Sequence, residues 1–180
     1  MTKARDLANA SSALSAVSPT ELGYLDGVTS AVQTQIDTKA PSTAPTLVNP
    51  VLRSPEERCT VTATAATGTI NFDANTQGVL YYTTAATGNW TLNIRNDSGT
   101  TLNSALATGD AITVVFMNTN TGTAYYPTAF QVDGSAVTPK WQNGVAPSAG
   151  NTNSVDIYTY TIIKTGSAAY TVLASQTKFA

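Results

Sequence analysis

The chain has 180 residues, enough for one β domain of ordinary size plus an appendage but not for two large cores. Only 11% of the residues are charged and the net charge is −2. The few basic residues are scattered along the chain and never form a run, so we expect no binding to nucleic acid. Histidine is absent, which removes the usual general base, the commonest metal ligand and every histidine-activated nucleophile. We therefore expect no catalytic residues, no metal and no cofactor.

Hydropathy and cysteine content bear on membrane insertion, secretion and disulfide bonding. No run approaches the roughly 18 apolar residues that cross a bilayer, and the N-terminus has no apolar core of a secretory signal, so we expect a product made in the cytoplasm without membrane insertion. The single cysteine, Cys59, excludes an internal disulfide. Because it lies in an apolar, β-prone run, we expect it to be a small buried hydrophobic residue.

A short helical segment is predicted near the N-terminus. Ser18 as N-cap, Pro19 at the first helical position and Glu21 three residues after the cap form the pattern of a capping box, and Gly27 supplies a helix end. A second short helix is predicted over residues 30–39.

Four apolar residues in these helices have heptad spacing, which indicates an assembly seam. They are Leu22, Leu25, Val32 and Ile36. So few heptads do not form an independent coiled coil. Two interpretations remain: a helical turn packed on the chain's own β domain, or a seam between identical helices in a trimer, which we favour.

A proline-rich spacer follows the helices and predicts a boundary. Pro41, Pro45 and Pro50 give a semi-rigid, extended connection. We expect an N-terminal helical segment for attachment and trimerisation over 1–40, a linker over 41–52 and a β domain over 53–180.

The β domain is predicted from short Val-, Ile-, Thr- and Tyr-rich runs that alternate with Gly, Asn and Asp turns. This pattern is typical of an antiparallel β-sandwich or a jelly-roll-like fold. The alternation predicts the core residues Trp90, Leu92, Ile94, Val114 and Phe116, the last two on a central strand.

Turns are predicted in three places along the β domain. Asp133-Gly134 and Asn143-Gly144 are tight-turn sequences, and residues 154–164 and 168–179 form a long closing hairpin. The sequence Thr64–Gly68 recurs as Thr84–Gly88, and we interpret the two copies as similar turns rather than as a solenoid.

Aromatic residues are the best candidates for recognition. Tyr125, Tyr126 and Trp141 flank the Asp133-Gly134 turn, and exposed rings offer a large contact area for sugars or proteins at low entropic cost. The alternative is that these rings belong to the core or to a subunit interface.

The acidic residues give weaker signals. Asp73 begins a sequence similar to the start of a calcium loop, but the twelfth position is Thr84, where a bidentate Glu belongs. Two carboxylates suffice for glycoside hydrolysis, so a small carbohydrate-processing enzyme is the remaining enzymatic alternative.

Two parts of the chain resemble a known group of proteins. Residues 18–30 (SPTELGYLDGVTS) with 33–39 (QTQIDTK) are similar to a segment of tail-fibre and other structural proteins of tailed bacteriophages, and the opening residues 3–8 (KARDLA) are similar to their N-termini. Within the β domain, residues 139–144 (PKWQNG) and 156–164 (DIYTYTIIK) resemble a module of cyanophage-like virion proteins.

The resemblance implies a non-enzymatic virion component, commonly homotrimeric. We expect a short trimeric tail fibre that is anchored by its N-terminal segment to a tail, baseplate or capsid protein and meets a host surface polysaccharide through its β domain. The alternative is a capsid-bound decoration (cement) or head-fibre protein that stabilises the shell. The chain departs from long fibres in its shortness and in its lack of extended heptads.

Overall fold

The computed structural model describes residues 53–179 together with Lys3, residues 18–24, Val28 and Ala31. Contacts divide the chain into two units, Met1–Arg53 and Ser54–Ala180. Each unit is described by itself.

In the first unit Lys3 is helical, and the helix whose bounds are described is α1 (Pro19–Gly23). The Ser18 backbone N–H donates to Glu21 Oε2 over 2.7 Å, and the Glu21 N–H donates to Ser18 Oγ over 3.2 Å, which is capping-box geometry. Ala31, which we predicted to be helical, is not helical. One turn does not support a helical segment over 1–40. Of the predicted seam, Leu22 lies in α1, and the other three residues fall outside the described structure: Leu25, Val32 and Ile36.

The second unit is mostly β. Its strands are β1 (Cys59–Ala65), β2 (Gly68–Asp73), β3 (Val79–Ala85), β4 (Trp90–Arg95), β5 (Ala111–Asn120), β6 (Pro127–Val132), β7 (Ser135–Ala136), β8 (Lys140–Trp141), β9 (Ser154–Gly166) and β10 (Ala169–Phe179). A short helix α2 (Leu102–Ala105) precedes β5, and a 3₁₀ turn (Gln142–Gly144) follows β8. One sheet has the order β1-β3-β5-β9-β10-β8 and the other β2-β4-β6-β7.

The first six strands form three stacked coils, each with one strand in either sheet. β1–β2, β3–β4 and β5–β6 are these coils, and their neighbouring strands pair in parallel. The prediction of an antiparallel sandwich is therefore wrong for this half of the domain. Among the described strands, the antiparallel pairs are β5–β9, β9–β10 and β6–β7.

The internal repeat marks equivalent corners of the first two coils. The Thr87 N–H, in the second copy, donates to the Ala66 carbonyl, in the first copy, over 3.1 Å. Ala66 and Ala86 are both buried, and a Cβ on Gly88 would lie 3.0 Å from Thr67 Oγ1. The small residues of the repeat are thus explained by corner-on-corner stacking. The two copies are similar turns, as interpreted from the sequence, and they also mark successive coils of the stack.

The C-terminal half closes the stack with hairpins. β9 and β10 pair along their full length, as predicted from the sequence. The Asp133-Gly134 turn is also confirmed: φ is 51° and 78° at these residues, and Val132 pairs with Ser135 across the turn. Asn143 and Gly144 likewise have positive φ.

The core lies between the two sheets and is rich in aromatic rings. The Trp90 ring, on β4, meets the Phe116 ring, on β5, edge-on at 5.6 Å, and the Phe130 ring stacks on Tyr160 at 4.6 Å. The five predicted core residues are all buried. Cys59 is exposed, against expectation, because β1 is the outermost strand of its sheet among the described residues.

A carboxylate binds the N-terminus of helix α2 and an ammonium group binds its C-terminus. The Asp133 carboxylate accepts hydrogen bonds from the backbone N–H groups of Leu102 and Asn103, at 2.7 and 2.9 Å. The buried Lys164 ammonium donates to the carbonyl oxygens of Asn103 and Leu106. The anion therefore lies at the N-terminus of α2 and the cation at its C-terminus, as the backbone dipoles require. Over the described part of the chain, no helix is long and apolar enough to span a membrane.

Candidate recognition surface

An aromatic depression of about 240 Å³ opens beside the third coil. We call it the Trp141 depression. Tyr126 immediately precedes β6, and Trp141 lies on β8, where it pairs with Ala174 of β10. The full lining is Tyr126, Pro127, Thr128, Ala129, Phe130, Pro139, Trp141, Ala146, Pro147 and Tyr160.

Core rings support Trp141. Its indole meets the Tyr160 ring edge-on at 5.8 Å, and Phe130 stacks on that same Tyr160. Burial raises the pKa of Tyr160, so its phenol stays protonated. The Tyr160 hydroxyl has no hydrogen-bond partner among the described residues. A half-exposed indole is therefore held on a rigid base that contains an unsatisfied polar group.

A second depression, of about 360 Å³, shares Trp141, Ala146 and Pro147 with the first. We call it the amide depression, because its remaining lining is Gln142, Asn143, Val145, Ser148, Ala149, Ser175, Gln176 and Lys178. Asn143 is exposed and has φ of 60°, a left-handed conformation that Asn and Gly tolerate. An aromatic and a hydrogen-bonding surface thus meet at one indole.

The structure brings together two of the three predicted recognition residues. Tyr126 and Trp141 line the Trp141 depression, and Tyr125 does not. The Tyr125 backbone is bound instead by the Asn120 side chain, which accepts from its N–H at 3.1 Å and donates to its carbonyl oxygen at 3.2 Å. The role of the two rings in recognition stays a prediction.

A buried polar cluster lies next to Tyr125, and we did not predict it from the sequence. Asp156 Oδ2 accepts from the Asn120 side chain at 3.1 Å and from the Asn151 N–H at 2.9 Å. Asp156 Oδ1 and Asn118 Oδ1 have no hydrogen-bond partner among the described residues, although these two residues are cross-strand neighbours. Burial raises the pKa of Asp156.

Gly150 closes this cluster. A Cβ at Gly150 would come within 2.4 Å of the Tyr125 carbonyl oxygen and 2.7 Å of Asp156 Oδ2. The cluster therefore fixes the loop that leads into β9, and it has no room for a larger residue.

The other carboxylates with described contacts have structural partners. Asp73 Oδ1 lies 2.6 Å from Arg95 Nε in the neighbouring coil, and this hydrogen bond raises the pKa of Arg95. Asp97 Oδ1 accepts two backbone N–H groups of its own turn, of which the Gly99 bond contributes most to lowering the pKa of Asp97. Among residues that the structure describes, no three Cys, Asp or Glu side chains come together as metal ligands.

Comparison with known proteins gives no match: neither a family model, nor a curated protein, nor a solved structure is significantly similar to this chain.

Proposed function

We propose that this chain is a non-enzymatic structural protein of a tailed-bacteriophage virion. In this proposal it forms a short homotrimeric tail fibre. Residues 1–40 attach it to another virion protein, and the β domain projects outward to meet the host surface. The resemblance of residues 18–39 to phage structural proteins supports the virion setting, and the low content of charged residues suits subunits that cover much of one another.

The observation that carries the host-contact part of the proposal is the Trp141 depression. Two partly exposed rings, Tyr126 and Trp141, line one concave surface, and no Lys, Arg, Asp or Glu belongs to that lining. Aromatic residues are enriched at the centres of recognition surfaces, where charged residues are depleted. A surface of this kind suits contact with an uncharged polymer.

The contacts of the carboxylates support a non-enzymatic role. Asp73 pairs with Arg95, and Asp97 and Asp133 bind backbone N–H groups. A general acid and a nucleophile for glycoside hydrolysis need two carboxyl groups that face a shared cleft. Asp97 and Asp133 do line one depression, of about 270 Å³, but each already accepts two backbone N–H groups, so the first is committed to its turn and the second to α2.

Decoration of the capsid is the second candidate, and the open end of the coil stack favours it. β1 and β2 are end strands of their sheets in the described structure, and β1 (CTVTATA) carries no charge and no proline. Uncharged edge strands accept additional strands from other proteins. A shell protein that adds a strand to β1 would hold this chain on the capsid.

Two phage variants distinguish the candidates. Deletion of residues 1–40 is expected to abolish incorporation of the protein into particles if it is a fibre. Val61→Lys places a charge at an exposed position of β1, where it opposes strand addition, and is expected to leave a fibre's copy number unchanged. If the protein is incorporated normally after the deletion but is lost from particles on Val61→Lys, the result would contradict the fibre and favour the decoration protein. Copy number is measured by quantitative mass spectrometry of purified particles.

A further inference from the structure

We infer that the Trp141 depression and the amide depression form one binding site for a neutral oligosaccharide. One sugar ring stacks against Trp141 and Tyr126, and the hydroxyls of the next sugar bind the side-chain amides of Gln142 and Asn143. This inference rests on the proposed function, because it names the polymer that the β domain would meet.

The charge of the lining selects a neutral ligand. The Trp141 depression contains no Lys, Arg, Asp or Glu, and Lys178 is the charged residue of the amide depression. An anionic polysaccharide needs several cations along its path, and a basic one needs carboxylates. Neither pattern is present in these two linings.

The combination of ring faces and amides selects a sugar among neutral ligands. A pyranose presents an apolar C–H face that packs on aromatic rings, and its equatorial hydroxyls both donate and accept hydrogen bonds. Gln142 and Asn143 are exposed, so their amides can both donate and accept. The rings of the lining thus match the apolar face of a sugar, and its amides match the sugar hydroxyls.

The unsatisfied Tyr160 hydroxyl is an independent observation at the same place. Tyr160 lines the Trp141 depression and is fully buried, and buried polar groups normally have a partner. The hydroxyl has almost no accessible surface in the free domain, so a sugar hydroxyl would supply this partner only after the lining side chains shift on binding.

The size of the site sets the length of the ligand. A volume of about 240 Å³ is below the roughly 300–1,000 Å³ of an enclosed small-molecule pocket, so the Trp141 depression holds about one sugar ring. The adjoining 360 Å³ depression extends the path. We therefore expect oligosaccharides to bind and monosaccharides to bind more weakly.

Tryptophan fluorescence of the full chain tests the inference directly. The chain has two tryptophans, and Trp90 is buried, so a change in emission on ligand addition reports on Trp141. The probes are neutral hexasaccharides of β-1,4-glucan, β-1,4-mannan and α-1,4-glucan, with alginate hexasaccharide as the anionic comparison. We expect saturable binding of at least one neutral probe, with a Kd that changes less than about twofold between 0.05 and 0.5 M NaCl.

Three variants locate the site. Tyr126→Ala is expected to weaken binding about tenfold through loss of a stacking ring. Asn143→Gly removes the amide while keeping the left-handed backbone, and is expected to weaken binding about threefold without unfolding the protein. Tyr81→Ala removes a partly exposed ring from β3, outside both linings, and should leave binding unchanged.

Each contrary result overturns the inference. Absence of any fluorescence change with the neutral probes on folded protein would do so, as would preference for alginate that collapses with salt, or equal binding by wild type and the Tyr126 and Asn143 variants. The proposed function is tested separately, by the presence of the chain in particles. A chain found in the virion that binds none of the sugars would refute this inference alone.

Discussion

Replacing Asp156 with Asn should stabilise the domain at neutral pH. In the wild type, Asp156 Oδ1 and Asn118 Oδ1 are buried without partners among the described residues, and the two residues are cross-strand neighbours on β9 and β5. Two oxygens without hydrogen cannot bond each other. Asp156→Asn puts an N–H group at one of these positions and keeps an oxygen for the Asn120 and Asn151 donors. One buried hydrogen bond then replaces two unsatisfied acceptors, which is worth on the order of 1 kcal/mol.

The pH dependence of the same variant follows from the raised pKa of Asp156. Burial is the largest cause, and it outweighs the attraction of Lys178 and the hydrogen bonds from Asn151 and Asn120. Between the unfolded and the folded pKa the native state binds the extra proton, so the wild type gains stability as pH falls through that window and loses it as pH rises. The variant lacks this group. Its advantage should therefore be largest at pH 7 and shrink as the solution is acidified.

Urea denaturation of both proteins at pH 7 and at about pH 4 measures this advantage. The difference between variant and wild type cancels the titration of the other carboxylates. Asp110→Asn, at an exposed carboxylate that accepts one backbone N–H, makes the same chemical change and serves as the matched control. A loss of more than about 1 kcal/mol at pH 7 for Asp156→Asn would refute the reasoning, because it would mean that both oxygens of the buried carboxylate are well paired in the wild type.

Three further outcomes are expected. Phe116→Ala should cost about 3–5 kcal/mol of unfolding free energy, measured by urea denaturation, because the ring is fully buried against Trp90; a cost below about 1 kcal/mol would contradict the core assignment. Asp133→Asn should keep the hairpin turn, since Asn tolerates positive φ, but lose about 1–2 kcal/mol by weakening the cap of α2; unchanged stability would show that the cap contributes nothing. Light scattering at micromolar concentration should give three times the chain mass of 18.7 kDa, and a monomer both in solution and on the particle would exclude the trimer.

Local pattern in the sequence was sufficient for the core and the turns, but not for strand pairing. The alternation in Trp90–Arg95 identifies the buried face of β4, and Asp133-Gly134 identifies a tight hairpin, because both depend on neighbouring residues alone. Parallel pairing depends on which distant strand lies alongside. The two copies of the repeat mark the corners of the first two coils. The third coil does not continue this period, because residues 96–110 are inserted before β5 and the corner between β5 and β6 has a different sequence.

The candidate site was predictable only where it depends on local sequence and not on tertiary contacts. The position of aromatic residues beside a turn was enough to predict Tyr126 and Trp141. The hydrogen bonds between the Asn120 side chain and the Tyr125 backbone depend on how the loop folds, and the sequence did not indicate them. The buried position of Asp156 had a signal in the sequence, since it shares a strand face with Tyr158 and Tyr160, both in the core.

The central claim, that this chain is a structural part of a phage particle, is tested most directly by quantitative mass spectrometry of purified particles with antibody labelling of the β domain. The protein should be present at a copy number divisible by three, and the label should lie at the tail. A protein that is abundant in the infected-cell lysate but missing from purified particles would contradict it.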